Sequence, residues 1–142
     1  MKTELKCIQT TNEQGRLIRE EYWLNDERHN PNGPAVRSWN DKGQLIYESF
    51  WFNGKLHNQN GPTVRWWNDA GRLICEEYWL NGKRHNPNGP AVRSWDVEGR
   101  LYYEQYWVEG KLLTKKRFLA QKNTCNNKIV VIDGVEYKLT PV

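Results

Sequence analysis

Histidine occurs three times in this 142-residue sequence, at His29, His57 and His85, each time followed by Asn and, three residues on, by Asn-Gly-Pro. An imidazole in a Gly-containing turn is the side chain from which a metal site or a general acid–base would be built. Glu20, Glu48, Glu76 and Glu104 stand near Arg37, Arg65 and Arg93, and paired carboxylates are what glycoside hydrolysis needs. Cys7, Cys75 and Cys125 complete the set of residues that could act as nucleophiles or ligands. Their spacing argues against all three chemistries. Successive His are 28 residues apart, and so are successive Glu and successive Arg. Two strands per 28-residue unit would put neighbouring His about 10 Å apart, too far to share a zinc whose ligands sit about 2 Å away. A carboxylate repeated in every copy is not the singular site at which one pKa can be raised. The expectation is therefore that each His hydrogen-bonds its own turn and that Glu and Arg pair across strands, each exposed pair being worth about 0.2–1 kcal/mol. The cysteines are odd in number, far apart and in no CxxC pair, which fits a reducing compartment. No catalytic residue, metal ligand or cofactor is assigned, and the chain is read as non-enzymatic.

What positions these residues is a repeat. Copies begin at Gly15, Gly43, Gly71 and Gly99 without insertion or deletion, the signature of a repeat architecture. Each Gly closes a turn that opens on Asn or Asp (Asn12, Asn40, Asn68, Asp96), where a short side chain caps the bend and Gly takes a positive φ. Strands of eight residues should follow at Leu17 to Leu24, Leu45 to Phe52, Leu73 to Leu80 and Leu101 to Val108. The flanking turns leave too little length for a helix there. Asn-Gly or its equivalent then turns the chain, and after Pro34, Pro62 and Pro90 second strands run from Ala35, Thr63 and Ala91 to Trp39, Trp67 and Trp95. The predicted fold is all-β: an elongated single-layer antiparallel meander. Residues 1–14 form an N-terminal capping strand, 15–112 four repeats of which the last is partial, and 113–142 a basic C-terminal cap. In that cap residues 114–122 read as a short helix, and a hairpin turns at Asp133-Gly134.

Composition agrees. Hydrophobic residues make up 37% and aromatic residues 13%, with eight Trp, and mean hydropathy is −0.93. That suits a thin ordered sheet whose burial comes from large rings. Residues 1–110 sum to −1 and residues 111–142 to +5, so the net charge of +4 sits in the tail. The first residues lack the apolar core of a signal peptide and no run reaches the roughly 18 apolar residues of a membrane span, so a cytoplasmic location is expected.

The recurring Tyr/Phe-Trp-x-Asn-Gly-Lys strand end, the His-Asn-x-Asn-Gly-Pro turn and the second strand ending in Trp resemble the MORN-repeat family in its broad sense. The likeness is greatest to the long variant of giant viruses, phages and bacterial antitoxin-like proteins. The resemblance spans residues 15 to about 112. It implies a twisted single-layer sheet that serves as a scaffold for protein partners or contacts phospholipid headgroups, and it implies no reaction.

Function is then expected where the copies disagree. Trp23, Trp51, Trp79 and Trp107 form one predicted column of stacked rings, and Trp39, Trp67 and Trp95 another. Trp66 belongs to neither, because the equivalent positions are Ser38 and Ser94, and an unrepeated central Trp is a typical interface anchor. Trp66 with Tyr47, Tyr103 and Arg19 is the candidate contact face, and Lys115, Lys116 and Arg117 a basic one. The partner expected first is another protein, as for a phage- or virus-type inhibitor of a host factor. A second expectation is nucleic acid held by Lys115, Lys116, Arg117, Lys122 and Lys128 with exposed rings stacking on bases. Open sheet edges would also allow a homodimer.

Overall fold

The structure is a computed structural model and describes residues 4–123, 129–132 and 135–138. The chain begins with β1 (Lys6–Thr11) and β2 (Leu17–Leu24); β3 (Glu27–Arg28) folds back on the end of β2, and β4 (Val36–Trp39) lies along its beginning. The second copy supplies β5 (Leu45–Ser49), β6 (Trp51–Phe52), β7 (Lys55–Leu56) and β8 (Val64–Trp67). The third supplies β9 (Leu73–Glu77), β10 (Trp79–Leu80), β11 (Lys83–Arg84) and β12 (Val92–Trp95). The fourth ends as β13 (Leu101–Val108), β14 (Lys111–Leu113) and the helix α1 (Lys115–Asn123). The main sheet is antiparallel throughout, in the meander order β1-β2-β4-β5-β8-β9-β12-β13-β14. Further on, β15 (Ile129–Ile132) pairs with β16 (Val135–Lys138) as the alternation predicts; the Asp133-Gly134 turn itself, Cys125 and Lys128 lie outside the described residues.

Each Gly turn is built by its first side chain. Asn12 Oδ1 accepts the N–H groups of Gln14 and Arg16 at 3.1 and 3.0 Å, and Gly15, at φ 75°, closes the turn onto the Asn12 carbonyl. Asn40, Asn68 and Asp96 do the same. A β-bulge adjoins every one of these turns, the register shifting at Thr10/Thr11, Ser38/Trp39, Trp66/Trp67 and Ser94/Trp95.

The long strands of the middle copies are interrupted at Phe50 and Tyr78. There the amide still donates to the neighbouring segment, Phe50 to the Thr63 carbonyl, while the carbonyl already accepts from the copy's own hairpin at His57 N–H. The strand thus changes partner at one residue. The second strands start at Val36, Val64 and Val92, one residue later than expected, with the prolines outside them. The core is a thin stripe: Ala35, Val36, Val64, Ala91 and Val92 are at most 5% exposed. Thr63 stands in the Ala position of the second copy, and its buried hydroxyl donates to the Trp79 carbonyl (2.9 Å) while accepting the Trp79 N–H (2.8 Å).

Two expectations are corrected. His29 Nδ1 accepts the N–H of Asn53 (3.1 Å) and His85 Nδ1 that of Glu109 (3.0 Å), while His57 Nδ1 lies 2.8 Å from Asn81 Oδ1 and 3.3 Å from the Asn81 backbone nitrogen. Each ring therefore ties its copy to the turn of the next copy, because successive hairpins stack, with Gly54, Gly82 and Gly110 donating to the carbonyls of Arg28, Leu56 and Arg84. The first Trp column is not ring on ring either. The Arg28 guanidinium lies 5.3 Å from the rings of both Trp23 and Trp51, and Arg84 lies 5.1 Å from Trp79 and 5.6 Å from Trp107. Strand spacing leaves room for a planar cation between successive indoles, where it is attracted to both faces. In the second column the ring contact of Trp95 is likewise with Arg93, at 5.7 Å.

Candidate binding faces

Alternation along the strands divides the side chains between two faces. On one, the register Gln9–Glu20–Arg37–Glu48–Arg65–Glu76–Arg93–Glu104 runs straight across the sheet. Arg37 pairs with Glu20 at 3.6 Å, Arg65 with Glu48 at 2.8 Å, and Arg93 with Glu76. The ladder is finished at one end by the Gln9 amide, which donates to Glu20 (3.0 Å), and at the other by Lys115 on α1, 2.6 Å from Glu104. Lys115 is the first cause holding the Glu104 carboxyl below its ordinary range, and Glu104 in turn raises Lys115. The recurring Glu and Arg are thus committed to one another, as the spacing indicated.

The opposite face carries two repeat positions at which the copies differ. Thr10, Arg19, Ser38, Tyr47, Trp66, Cys75, Ser94 and Tyr103 form a second cross-strand row. Tyr47 and Trp66 are direct partners, their ring centroids 5.4 Å apart and tilted by 54°. Arg19 Nη1 donates to Ser38 Oγ (3.3 Å) and Nη2 to Glu21 (2.8 Å), and this contact draws the Glu21 carboxyl below its usual value. Arg19, Ser38, Ile46, Tyr47, Trp66 and Ile74 line an open depression of about 680 Å³. Cys75, beside Trp66, receives the Ser94 hydroxyl at 3.5 Å, and burial pushes its thiol up, away from nucleophile chemistry. Tyr103, 44% exposed, stands at the end of the same row, about 14 Å from Trp66 at three strand spacings.

The two sets singled out from sequence lie apart. Arg19, Tyr47, Trp66 and Tyr103 share a row, whereas Lys115 points at Glu104 on the other face. Lys116 and Arg117 are exposed on α1, and Lys122 donates to the Asn88 carbonyl at 2.7 Å.

A feature the sequence did not point to lies on the ladder face. The Asn-x-Asn-Gly-Pro loops stand up as parallel walls, each held by its first Asn, whose Nδ2 donates to the Pro34, Pro62 or Pro90 carbonyl at 2.8–2.9 Å. Between consecutive walls run two grooves of about 750 and 690 Å³, with Phe50 and Arg65 in the first and Tyr78 and Arg93 in the second. The recurrence of these loops was legible as a turn, but that two of them enclose a groove depends on how the copies stack.

Among the described residues, no group of three His, Cys, Asp or Glu is placed to hold a metal ion, and no helix is long and apolar enough to cross a membrane. A scan of family models, a search of curated proteins and a search of solved structures each returned no match.

Proposed function

We propose that this chain is a non-enzymatic repeat scaffold that binds another protein through the row Arg19–Tyr47–Trp66–Tyr103. The observation that carries the reading is the Tyr47–Trp66 pair. It is half-buried and directly paired across two central strands, and it lines a depression where two repeat positions that differ between copies meet. The recurring Glu, Arg and His are engaged in pairs that hold the copies together, which leaves the variable row as the surface with chemistry to offer. A large aromatic beside an Arg is the composition of an interface anchor. The scaffold role implied by resemblance to the long MORN-like repeats fits this reading, and so does a phage- or virus-type inhibitor, since covering a partner's surface needs no reaction. Nucleic-acid binding is the weaker proposal, because Lys115 and Lys122 are already spent on Glu104 and Asn88.

The test compares wild type with Trp66→Ser, the residue other copies carry, in nuclease-treated affinity capture from the native host. A captured protein should be lost by about tenfold or more in the variant, with an unchanged circular dichroism spectrum. Retention unaltered by Trp66→Ser overturns the reading. So does binding that requires intact nucleic acid and falls steeply with salt.

A further inference from the structure

The grooves on the ladder face recur with the repeat, and the third position is filled. Phe50, Tyr78 and Tyr106 are equivalent residues 28 apart, as are the loop residues Asn32, Asn60 and Asn88. At Phe50 and Tyr78 the grooves stand open. At Tyr106, α1 lies across the position: Phe118, 3% exposed, packs on the Tyr106 ring at 4.8 Å, and Lys122, one turn further on, donates to the Asn88 carbonyl at 2.7 Å. Tyr106 is only 7% exposed in consequence. The chain thus displays what its own groove accepts: a helix presenting an aromatic side chain to the floor and, four residues later, a cation to the carbonyl of the wall.

We propose that the two open grooves are docking sites for a helical segment of a partner protein carrying an aromatic residue and a Lys or Arg four positions later, seated as Phe118 and Lys122 are seated in the third. Asn32 and Asn60 line the open grooves where Asn88 lines the filled one. The equivalence fails at one point, and the failure sharpens the prediction. Glu104 is free to take Lys115, but Glu48 and Glu76 are already paired with Arg65 and Arg93. A helix entering the open grooves should therefore carry a neutral residue three positions before its aromatic, since a cation there would face a bound Arg. This site lies on the face opposite Trp66 and does not depend on the role proposed for that residue.

The probe is a lactam-stapled peptide of residues 114–122, the staple being needed because so short a helix is marginal in water, titrated into the full chain and followed by amide chemical shifts. Shifts are expected at Asn60, Gly61 and Tyr78 and at Asn32, Gly33 and Phe50. Replacing the peptide's Phe118 by Ala should weaken binding about tenfold or more, and its Lys115→Ala analogue should bind at least as well as the parent. Gly61 lines both grooves, has no positive φ, and a Cβ there would meet nothing within 4 Å. Gly61→Lys should therefore leave the fold intact and remove binding at both grooves. Trp66→Ser should leave binding unchanged. The proposal is overturned by shifts confined to Tyr106 and α1, which would mean displacement of the chain's own helix, by indifference to the Phe118→Ala change, or by undiminished binding to a folded Gly61→Lys protein.

Discussion

The two ends of the sheet are built from the same repeat and finished in opposite ways. At the C-terminal end β14 pairs with the last three residues of β13, α1 covers Tyr106 with Phe118, and Lys115 takes the last carboxylate of the ladder. At the N-terminal end β1 occupies the position of β4, β8 and β12, yet every residue of it is exposed. Ile8 is 50% exposed, whereas its equivalents Val36, Val64 and Val92 are 1%, 3% and 5% exposed. Identical position and similar chemistry give opposite burial, so in this fold burial belongs to the junction between copies and not to the residue. That is the behaviour of a stack whose stability is a sum of neighbour contacts.

Four substitutions break or sharpen this contrast. Phe118→Ala empties the covered end and should reduce stability by about 3 kcal/mol in urea unfolding, with amide exchange accelerating first in β13 and β14. Thr at the core position should discriminate interior from edge. Val64→Thr buries a hydroxyl and should cost about 1–3 kcal/mol, while Ile8→Thr should stay within about 0.5 kcal/mol; equal effects would mean that β1 is covered in solution. The smallest effect is expected of Lys115→Met, and it should depend on pH. The Glu104 carboxyl is held below its unfolded value chiefly by Lys115. The stabilisation it contributes is thus complete above the ordinary Glu range near pH 4.3 and disappears as pH falls through the lower folded value. Wild type should lose urea midpoint across that acid window more steeply than the variant, and parallel losses would show that the contact is not formed in solution.

Much of this was written in the sequence because a repeat states each rule several times. The turns, the paired strands, the meander and the Glu–Arg ladder follow from period two inside period 28, and the helix from the loss of both after Leu113. Relations between copies were not legible. Nothing local says that His29 reaches Asn53, or that Arg28 slides between Trp23 and Trp51. A cation at 28 and 84 with Leu at 56 was visible, but its place between indoles depends on the stacking distance of the hairpins. The candidate site was half legible for the same reason. Variation at Arg19, Tyr47, Trp66 and Tyr103 marked a real row, while the partner of Lys115 in the separate basic segment, Glu104 on the other face, was not legible. The grooves escaped because their walls are the most repeated part of the chain, and repetition was taken to mean scaffold.

The ladder also constrains how such a chain can change length. Four Glu, three Arg and one Lys make a row with no net charge, in which every interior carboxylate has a cation beside it. A full 28-residue unit brings one Glu and one Arg together, so insertion or loss of a whole copy preserves neutrality and leaves both finished ends untouched. Half a copy would leave Glu48 or Glu76, each at most 8% exposed, beside another carboxylate or beside nothing, at a cost of several kcal/mol. Growth and shrinkage of this sheet are therefore quantised in hairpin pairs, and the surface available to a partner changes in steps of the same size.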